Sequence, residues 1–332
     1  MTTATDAIPL VSIRNLNKEF KLGGGFGQST TLRALTEVSF DLYAGQALAI
    51  VGESGSGKST SARILSQIYP ATAGDIRFNG QPLADYVRER GKRRFASDVQ
   101  MIFQDPFGSL NPVHRIRYQL ARPLRLHRKL KGAALEKRIL ELLEQVGLTP
   151  AAETAEKYPH ELSGGQRQRV AIARALAVEP ALILADEPIS MLDVSIRLGI
   201  LNLMLDLKEQ HGIGFLYITH DIATARYFAE RTAVMYVGHM VEWGDSDSVT
   251  QNPQHPYTQL LIAAVPEPGE HKDRDLSRYQ HKADIPQWQP DSRGCPFAER
   301  CPHALAECRQ SLPAAREVAP GHFVRCHLFE ER

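Results

Sequence analysis

Cysteine is nearly missing from this 332-residue chain: it has four, and all fall within the last forty positions. An excess of one charge is missing too. Lys and Arg number 39 against 38 Asp and Glu, for a formal net charge of +1. No global field therefore draws the chain to nucleic acid or to an anionic membrane. Long apolar runs are absent: the best candidate, Val170 to Ala185, is broken by Arg174, Glu179 and Pro180, well short of the roughly eighteen residues that mark a spanning helix. The opening MTTATDAIPLVSIRN has no basic segment followed by an apolar stretch, which argues against a secretory signal. The expected compartment is the cytosol, where clustered cysteines point to metal more often than to disulfides. There is neither an internal repeat nor a sustained heptad pattern.

What remains has the composition of an ordinary globular protein, 43% hydrophobic and 23% charged, with chain enough for one large or two moderate domains. Residues 9–20, PLVSIRNLNKEF, alternate like a half-buried strand, and KLGGGFGQ reads as a loop. VSFDLYAGQALAIVG offers two strands around a turn. A helix is expected from Lys58 to about Ile68, a short strand at GDIRFNG, and a buried strand at DVQMIF. Residues 113–160 are helical and strand-poor, and Arg115 to Arg138 carries nine basic residues against the single acid Glu136. A solvated helical face explains that run more simply than phosphate-backbone binding. ALILADEP and IGFLYITH are apolar runs bounded by polar turns, as in parallel strands covered on both faces, with helices expected at 164–178 and 194–211. Strand–helix alternation predicts an α/β core with a mainly parallel sheet. From about residue 248 the texture turns to proline, histidine and polar residues, marking an appended tail with little core of its own.

Three motifs carry chemistry. GESGSGKS, Gly52 to Ser59, matches G-x-x-x-x-G-K-[ST] between a strand and a helix. Its glycines let backbone N–H groups at Gly52, Ser54, Gly55, Ser56, Gly57 and Thr60 turn toward phosphate oxygens, at a helix N-terminus. Lys58 reaches the outer phosphates, and the Ser59 hydroxyl suits Mg²⁺. LILADE delivers Asp186 at a strand end, suited to the Mg²⁺ shell, and next to it Glu187, suited to orienting an attacking water. In ELSGGQRQRV, Ser163, Gly164 and Gly165 open a helix with free N–H groups, a second anion site in a chain that already has one. An ordinary Ser N-cap explains the serine, but not two successive glycines in a first helical turn.

In order along the chain, Gly52–Ser59, Gln104, LSGGQ at 162–166, ALILADE at 181–187 and His220 resemble ATP-binding-cassette (ABC) ATPases, over roughly residues 9–245. The resemblance implies a P-loop NTPase, RecA-like α/β core at 1–104 and 162–247, with an N-terminal antiparallel β subdomain. It further implies an α-helical subdomain at 105–161 and a small C-terminal domain at 248–332. It implies ATP and Mg²⁺ as ligands, and two subunits paired head to tail, each ATP lying between one phosphate loop and the other subunit's Ser163–Gln166. Under it Gln104 contacts Mg²⁺ and reports to a membrane subunit, His220 contacts the γ-phosphate and Phe20 stacks on adenine. Asp193 belongs to the loop at the subunit seam, where Met191 replaces the family's usual Ala and changes the packing there.

FQDPFGSLNP, YPHELSGGQRQR, NPQHPYTQLL and the cysteine-bearing tail are similar to ATPases of oligopeptide and dipeptide importers. That branch also takes up some oligosaccharides, nickel chelates and opines. It implies a second, unlike ATPase, two permeases, an extracytoplasmic binding protein, and a peripheral place on the cytoplasmic face of the inner membrane. Cys295, Cys301, Cys308 and Cys326 follow C-x5-C-x6-C-x17-C. Four thiolates can bind Zn²⁺ or hold an iron–sulfur cluster; the gaps are wider than zinc knuckles, and relatives with this tail include bearers of a [4Fe–4S] cluster. No metal, with free thiols or disulfides, is the third alternative, and His303, His322 and His327 are nearby. Two other function classes fit less well. A soluble ABC ATPase working on DNA or the ribosome has a coiled coil or two fused cassettes, and a non-hydrolysing regulator would lack some of Lys58, Asp186, Glu187 and His220.

Overall fold

The computed structural model describes residues 7–23, 30–265 and 286–330. Most of the glycine-rich loop and residues 266–285 lie outside them. Along the chain come strands β1 (Val11–Leu22), β2 (Thr30–Leu42) and β3 (Ala47–Val51), helix α1 (Lys58–Leu65), and strands β4 (Ala73–Phe78) and β5 (Gln81–Pro82). Helices α2 (Leu83–Arg90) and α3 (Lys92–Asp98) lead to β6 (Val99–Ile102). A helical run follows: α4 (Pro106–Ser109), α5 (Ile116–His127), α6 (Gly132–Gln145), α7 (Ala151–Glu156) and α8 (Gly164–Leu176). Then come β7 (Leu182–Asp186), α9 (Val194–His211), β8 (Gly214–Thr219), α10 (Ile222–Phe228), β9 (Arg231–Tyr236) and β10 (His239–Asp245). Helices α11 (Ser246–Gln251) and α12 (Pro256–Ala263) precede the final strands β11 (Ala315–Ala319) and β12 (His322–Arg325).

The chain forms two compact units. The first holds residues 1–11, 42–46 and 77–216; the second holds 12–41, 47–76 and 217–332. In the first, β6 and β7 pair in parallel with Val99 opposite Leu182 and Ile102 opposite Ala185, and β8 begins on the other side of β7. Every residue of β7 is buried, as expected of a strand covered on both faces. Helices α5 and α6 bury Ile116, Leu120, Leu124, Leu135, Ile139 and Leu142, at the three-to-four spacing of an amphipathic face. The basic face is locally neutralised: Arg115 and Arg117 pair with Glu156, Arg128 with Glu179, and Arg138 with Glu141.

In the second unit the strand order is β11-β12-β10-β9-β3, with the end of β8 beyond β3. β3 pairs in parallel with β9, Leu48 opposite Arg231 and Val51 opposite Val234; β10 and β12 are antiparallel additions. A separate antiparallel layer is formed by β2, β1 and β4. β1 alternates as expected, with one slip. Asn15 takes a left-handed φ of 49°, and the buried positions move from Val11 and Ile13 to Leu16 and Lys18, the phase shift of a local irregularity in a strand.

The tail is not an appendage. β12 lies beside β10, with Trp243 opposite Phe323 and their rings stacked at 5.6 Å. Trp288 and Phe297 join Val234, Tyr236, Val241 and Tyr257 in one buried cluster. Glu242, fully buried, accepts from Gln254 N at 2.8 Å, His255 N at 2.8 Å and His322 Nε2 at 2.7 Å. A buried carboxylate persists only with such partners, and these three come from both sides of residues 266–285. The tail, expected to have little core of its own, shares one buried cluster with β9 and β10.

Candidate functional site

The phosphate loop follows β3 in the second unit. Gly52 is forced by space: a Cβ there would lie 2.1 Å from Met235 O. Gly57 is forced twice, by a φ of 98° and by Ala34 O at 2.5 Å from its would-be Cβ. Gly238 N donates to Ser56 O at 2.9 Å and Ser56 N to Glu53 O at 3.2 Å, closing the curl. Ser54 and Gly55 are exposed at its crest, and Ser59 and Thr60 are half-buried in the first turn of α1. Gly57 precedes that helix without a side-chain cap. Lys58 is only 5% exposed, and its Nζ donates to Gly52 O at 2.6 Å and Glu53 O at 2.8 Å. The helix ends at Leu65, short of the expected Ile68.

His220 is exposed at the end of β8, just before Asp221, which caps α10 by accepting from Ala223 N at 2.9 Å. Phe20, half-buried on β1, meets Tyr69 edge-on at 5.3 Å, with Lys18 Nζ 4.8 Å from its ring centre. The aromatic position is thus a pair, Phe20 and Tyr69, and only Phe20 was singled out by sequence.

In the first unit, β7 ends on Asp186, 5% exposed. Glu187 takes a left-handed φ of 47°, and its carbonyl is held by Ser190 N at 3.2 Å and Ser190 Oγ at 3.0 Å. Its Oε2 accepts from Gln104 Nε2 at 3.1 Å. Strands β6 and β7 run parallel side by side, so the residues just past their C-terminal ends meet although 83 positions apart. Strained backbone of this kind gathers where a side chain must be aimed.

The LSGGQ segment opens α8 with a reciprocal cap: Ser163 N donates to Gln166 Oε1 at 3.0 Å and Gln166 N to Ser163 Oγ at 3.3 Å. The bland role of the serine is thus real. The glycines divide. Gly165 is required by packing, because a Cβ would lie 2.6 Å from Ile196 Cγ2. Gly164 is not, because its Cβ would meet only Leu192 Cδ2 at an ordinary 3.7 Å. Asp193 begins α9 without capping it. Met191, Val194 and Leu198 leave an exposed apolar stripe there. The same unit has a cavity of about 380 Å³ lined by Gln100, His114, Tyr118, Leu126 and Arg174.

The four cysteines lie in the second unit and form no disulfide. Cys295 N donates to Cys308 O at 2.7 Å, and Leu305 N reaches Cys308 Sγ at 3.4 Å. Burial pushes the Cys295 thiol up to about 12 and the Cys326 thiol to about 11, and the neighbouring cysteines add to both. Among the described residues no three of His, Cys, Asp or Glu are grouped to hold a metal ion. Two of the nearby histidines are committed elsewhere, His322 to Glu242 and His327 to Glu330 and Ser311 O.

Residues 25–190 match the ABC transporter family, and residues 241–308 match the C-terminal region of oligopeptide/dipeptide transporters. The oligopeptide transport ATP-binding protein AppF of Bacillus subtilis is 40% identical, over 98% of this chain and 99% of that protein. The chain belongs to the ABC transporter ATPases. The di/tripeptide transport ATP-binding protein DppF of Pseudomonas aeruginosa is 39% identical over 97% of this chain and 98% of its own length. Among solved structures, the dimeric cassette MJ0796 in a post-hydrolysis state with ADP and Pi matches 71% of this chain and 98% of itself at 32% identity, with a TM-score of 0.61. The fold is that of an ABC ATPase cassette, and the activity is ATP hydrolysis coupled to transport. Among the described residues no helix is long and apolar enough to cross a membrane.

Sequence reading missed Tyr257 and Arg300. Tyr257 Oη accepts from Glu53 N at 2.9 Å, and Arg300 pairs with the Glu53 carboxylate at 2.8 Å. The only signal was an acid among the free positions of the phosphate loop and an arginine between two cysteines.

Proposed function

We propose that this ABC ATPase energises the import of peptides. The observation that carries the reading is the match of cassette and tail together, at about 40% identity over nearly the whole chain, to ATPases named for oligopeptide and di/tripeptide transport. Partners of this reading are a second, unlike ATPase, two permeases and an extracytoplasmic binding protein, assembled on the cytoplasmic face of the inner membrane. The exposed stripe Met191, Val194, Leu198 supports an ATPase partner, and exposed Phe107, Val113, Tyr118 and Leu126 beside the helical cavity support a permease. The proposed domain limits follow the same reading, with 105–161 as the permease-facing insertion.

In this assignment the loop Gly52–Ser59 and Thr60 hold the phosphates, Phe20 holds the adenine, and Ser163, Gly164, Gly165 and Gln166 meet the partner's nucleotide. Gly164 supports that last role, since the fold of this chain does not demand a glycine there. Ser59, Gln104 and Asp186 offer the hard oxygen donors that Mg²⁺ takes, and the ion supplies charge neutralisation at the phosphates. The Glu187 carboxylate orients the attacking water and accepts its proton, with Gln104 Nε2 holding one carboxylate oxygen. His220 stands for the γ-phosphate contact. In the tail, Cys295, Cys301, Cys308 and Cys326 are proposed ligands of a [4Fe–4S] cluster with a structural role. Four cysteines in one segment, none of them in a disulfide, match the ligand count of such a cluster, and a single Zn²⁺ is the alternative. Anaerobic protein that is brown and holds about four irons per chain supports the cluster; metal-free protein with a folded tail removes it.

The test of the whole reading is reconstitution with the cognate permeases and binding protein in vesicles. Peptide-loaded binding protein should raise ATP turnover and drive peptide accumulation. Stimulation by an oligosaccharide, a nickel chelate or an opine, and not by peptides, would move the cargo within the branch. Recovery with nucleic acid or ribosomes in place of permeases would overturn it.

A further inference from the structure

The second residue of the phosphate loop is gripped by the tail at both its side chain and its backbone. Arg300 Nη1 donates to Glu53 Oε2 at 2.8 Å and Nη2 to Oε1 at 3.0 Å, a two-pronged match of guanidinium to carboxylate. The same Nη1 reaches Tyr236 Oη at 3.2 Å, and the guanidinium lies 5.6 Å and 5.7 Å from the ring centres of Tyr236 and Phe297. Glu53 N–H donates to Tyr257 Oη at 2.9 Å. Those contacts reach 247 and 204 positions along the chain. The carbonyl of the same Glu53 receives Lys58 Nζ at 2.8 Å, so a continuous set of contacts runs from Arg300 through Glu53 to the lysine of the loop.

This is not an ordinary surface ion pair. The side chains of Arg300 and Glu53 are 17% and 28% exposed, and stacking on two rings fixes the plane of the guanidinium before it meets the carboxylate. Arg309 and Glu299, also in the tail, are 58% and 66% exposed, the kind of pair that contributes little.

We infer that Arg300 is a positioning residue for the phosphate loop: through Glu53 it sets where Lys58 and the loop N–H groups stand, so that affinity for ATP depends on the cysteine-bearing tail. Arg300 sits between Cys295 and Cys301, and the packing of that segment thereby reaches the nucleotide. The inference rests on ATP binding at Gly52–Ser59.

The test titrates the full-length protein with a fluorescent ATP analogue and measures amide hydrogen exchange across residues 52–58 without nucleotide. Arg300→Met and Glu53→Gln should each weaken binding by about tenfold, the scale of a charge-assisted contact. The double variant should be no weaker than the worse single one, because both remove the same link. Loop amides should exchange faster in both. Arg309→Met should leave affinity unchanged. In the assembled transporter Arg300→Met should raise KM for ATP with little change in kcat. Arg300→Lys, which keeps the charge but not the fork, should fall between wild type and Arg300→Met, and it carries the test if Arg300→Met does not fold. Unchanged affinity in the Arg300 variants, additive losses in the double variant, or an equal loss in Arg309→Met would overturn the inference. A wild-type protein that does not bind the analogue would strike the nucleotide reading itself; normal wild-type binding with no effect at Arg300 strikes only this inference.

Discussion

The Gly52–Ser59 loop and the LSGGQ segment each open a helix, yet they are held in opposite ways. Ser163 and Gln166 cap each other across three positions, and the helix they open needs one neighbour, Ile196, to leave room at Gly165. The loop at Gly52–Gly57 depends on distant chain: Met235 O, Ala34 O and Gly238 around its glycines, and Tyr257 and Arg300 on Glu53. A motif that satisfies its own backbone keeps its geometry wherever its helix goes. A motif that borrows its partners inherits the state of the elements that lend them. The Gly52–Gly57 loop thus takes support from distant chain, the tail included, while the LSGGQ helix start is capped by its own residues.

Four experiments sharpen or break that contrast, beginning with the largest effect. Glu187→Gln keeps the Gln104 contact but loses the proton acceptor, so turnover of the assembled transporter should fall by roughly 10²–10⁴ while ATP binding persists. Wild-type turnover would remove Glu187 from the chemistry.

Acid should strike the second unit next. Burial holds His239 down to about 4 and His255 down to about 3, and His255 Nδ1 accepts from Tyr257 N at 3.0 Å, which requires the unprotonated nitrogen. With folded values below the usual 6.5, the unfolded chain binds more protons between the two. Stability is fully present above about 6.5 and is lost as pH falls toward 4, by roughly 3 kcal/mol for His239 alone. Both tryptophans, Trp243 and Trp288, lie in this unit, so their fluorescence in denaturant titrations reads it directly. A flat stability profile from pH 7 to 4.5 would contradict the shift.

Lys58→Met removes the ammonium that Gly52 O and Glu53 O share, and ATP affinity should drop by roughly tenfold to a hundredfold, the range of hydrogen bonds to a charged group. Equilibrium binding checks it; a loss under twofold would show that backbone N–H groups alone hold the phosphates. The smallest effect is reserved for Gly164→Ala. Its Cβ meets no close atom, so stability should change by less than about 0.5 kcal/mol, yet paired-subunit ATPase should fall. A variant with unaltered ATPase would confine this glycine to a local role.

Much of the core was legible because its signals are local. The helix expected at 194–211 is the one observed, since its start and the αL Gly212 at its end are written in adjacent residues. The strands around ALILADEP and IGFLYITH were legible because a strand covered on both faces has to be apolar throughout. Phe20 was singled out by the family resemblance and Tyr69 was not, because edge-on ring contact across 49 positions leaves no pattern in either segment. The tail's place beside β10 was not legible, because Glu242, His255 and His322 look like surface residues until three donors converge on one carboxylate.

The sequence by itself determined the family, the order of the phosphate loop, LSGGQ and LILADE, and the gathering of every cysteine in one segment. These rest on short-range rules: glycine where a Cβ has no room, an acid at a strand end, a cap three residues from its partner. Only the tertiary structure decided that the tail shares the core of β9 and β10, that Gln104 meets Glu187, and that Arg300 grips the phosphate loop. Each of those joins residues tens to hundreds of positions apart. Chain folding sets such a pairing through the sum of many packing contacts, and no single residue type announces it.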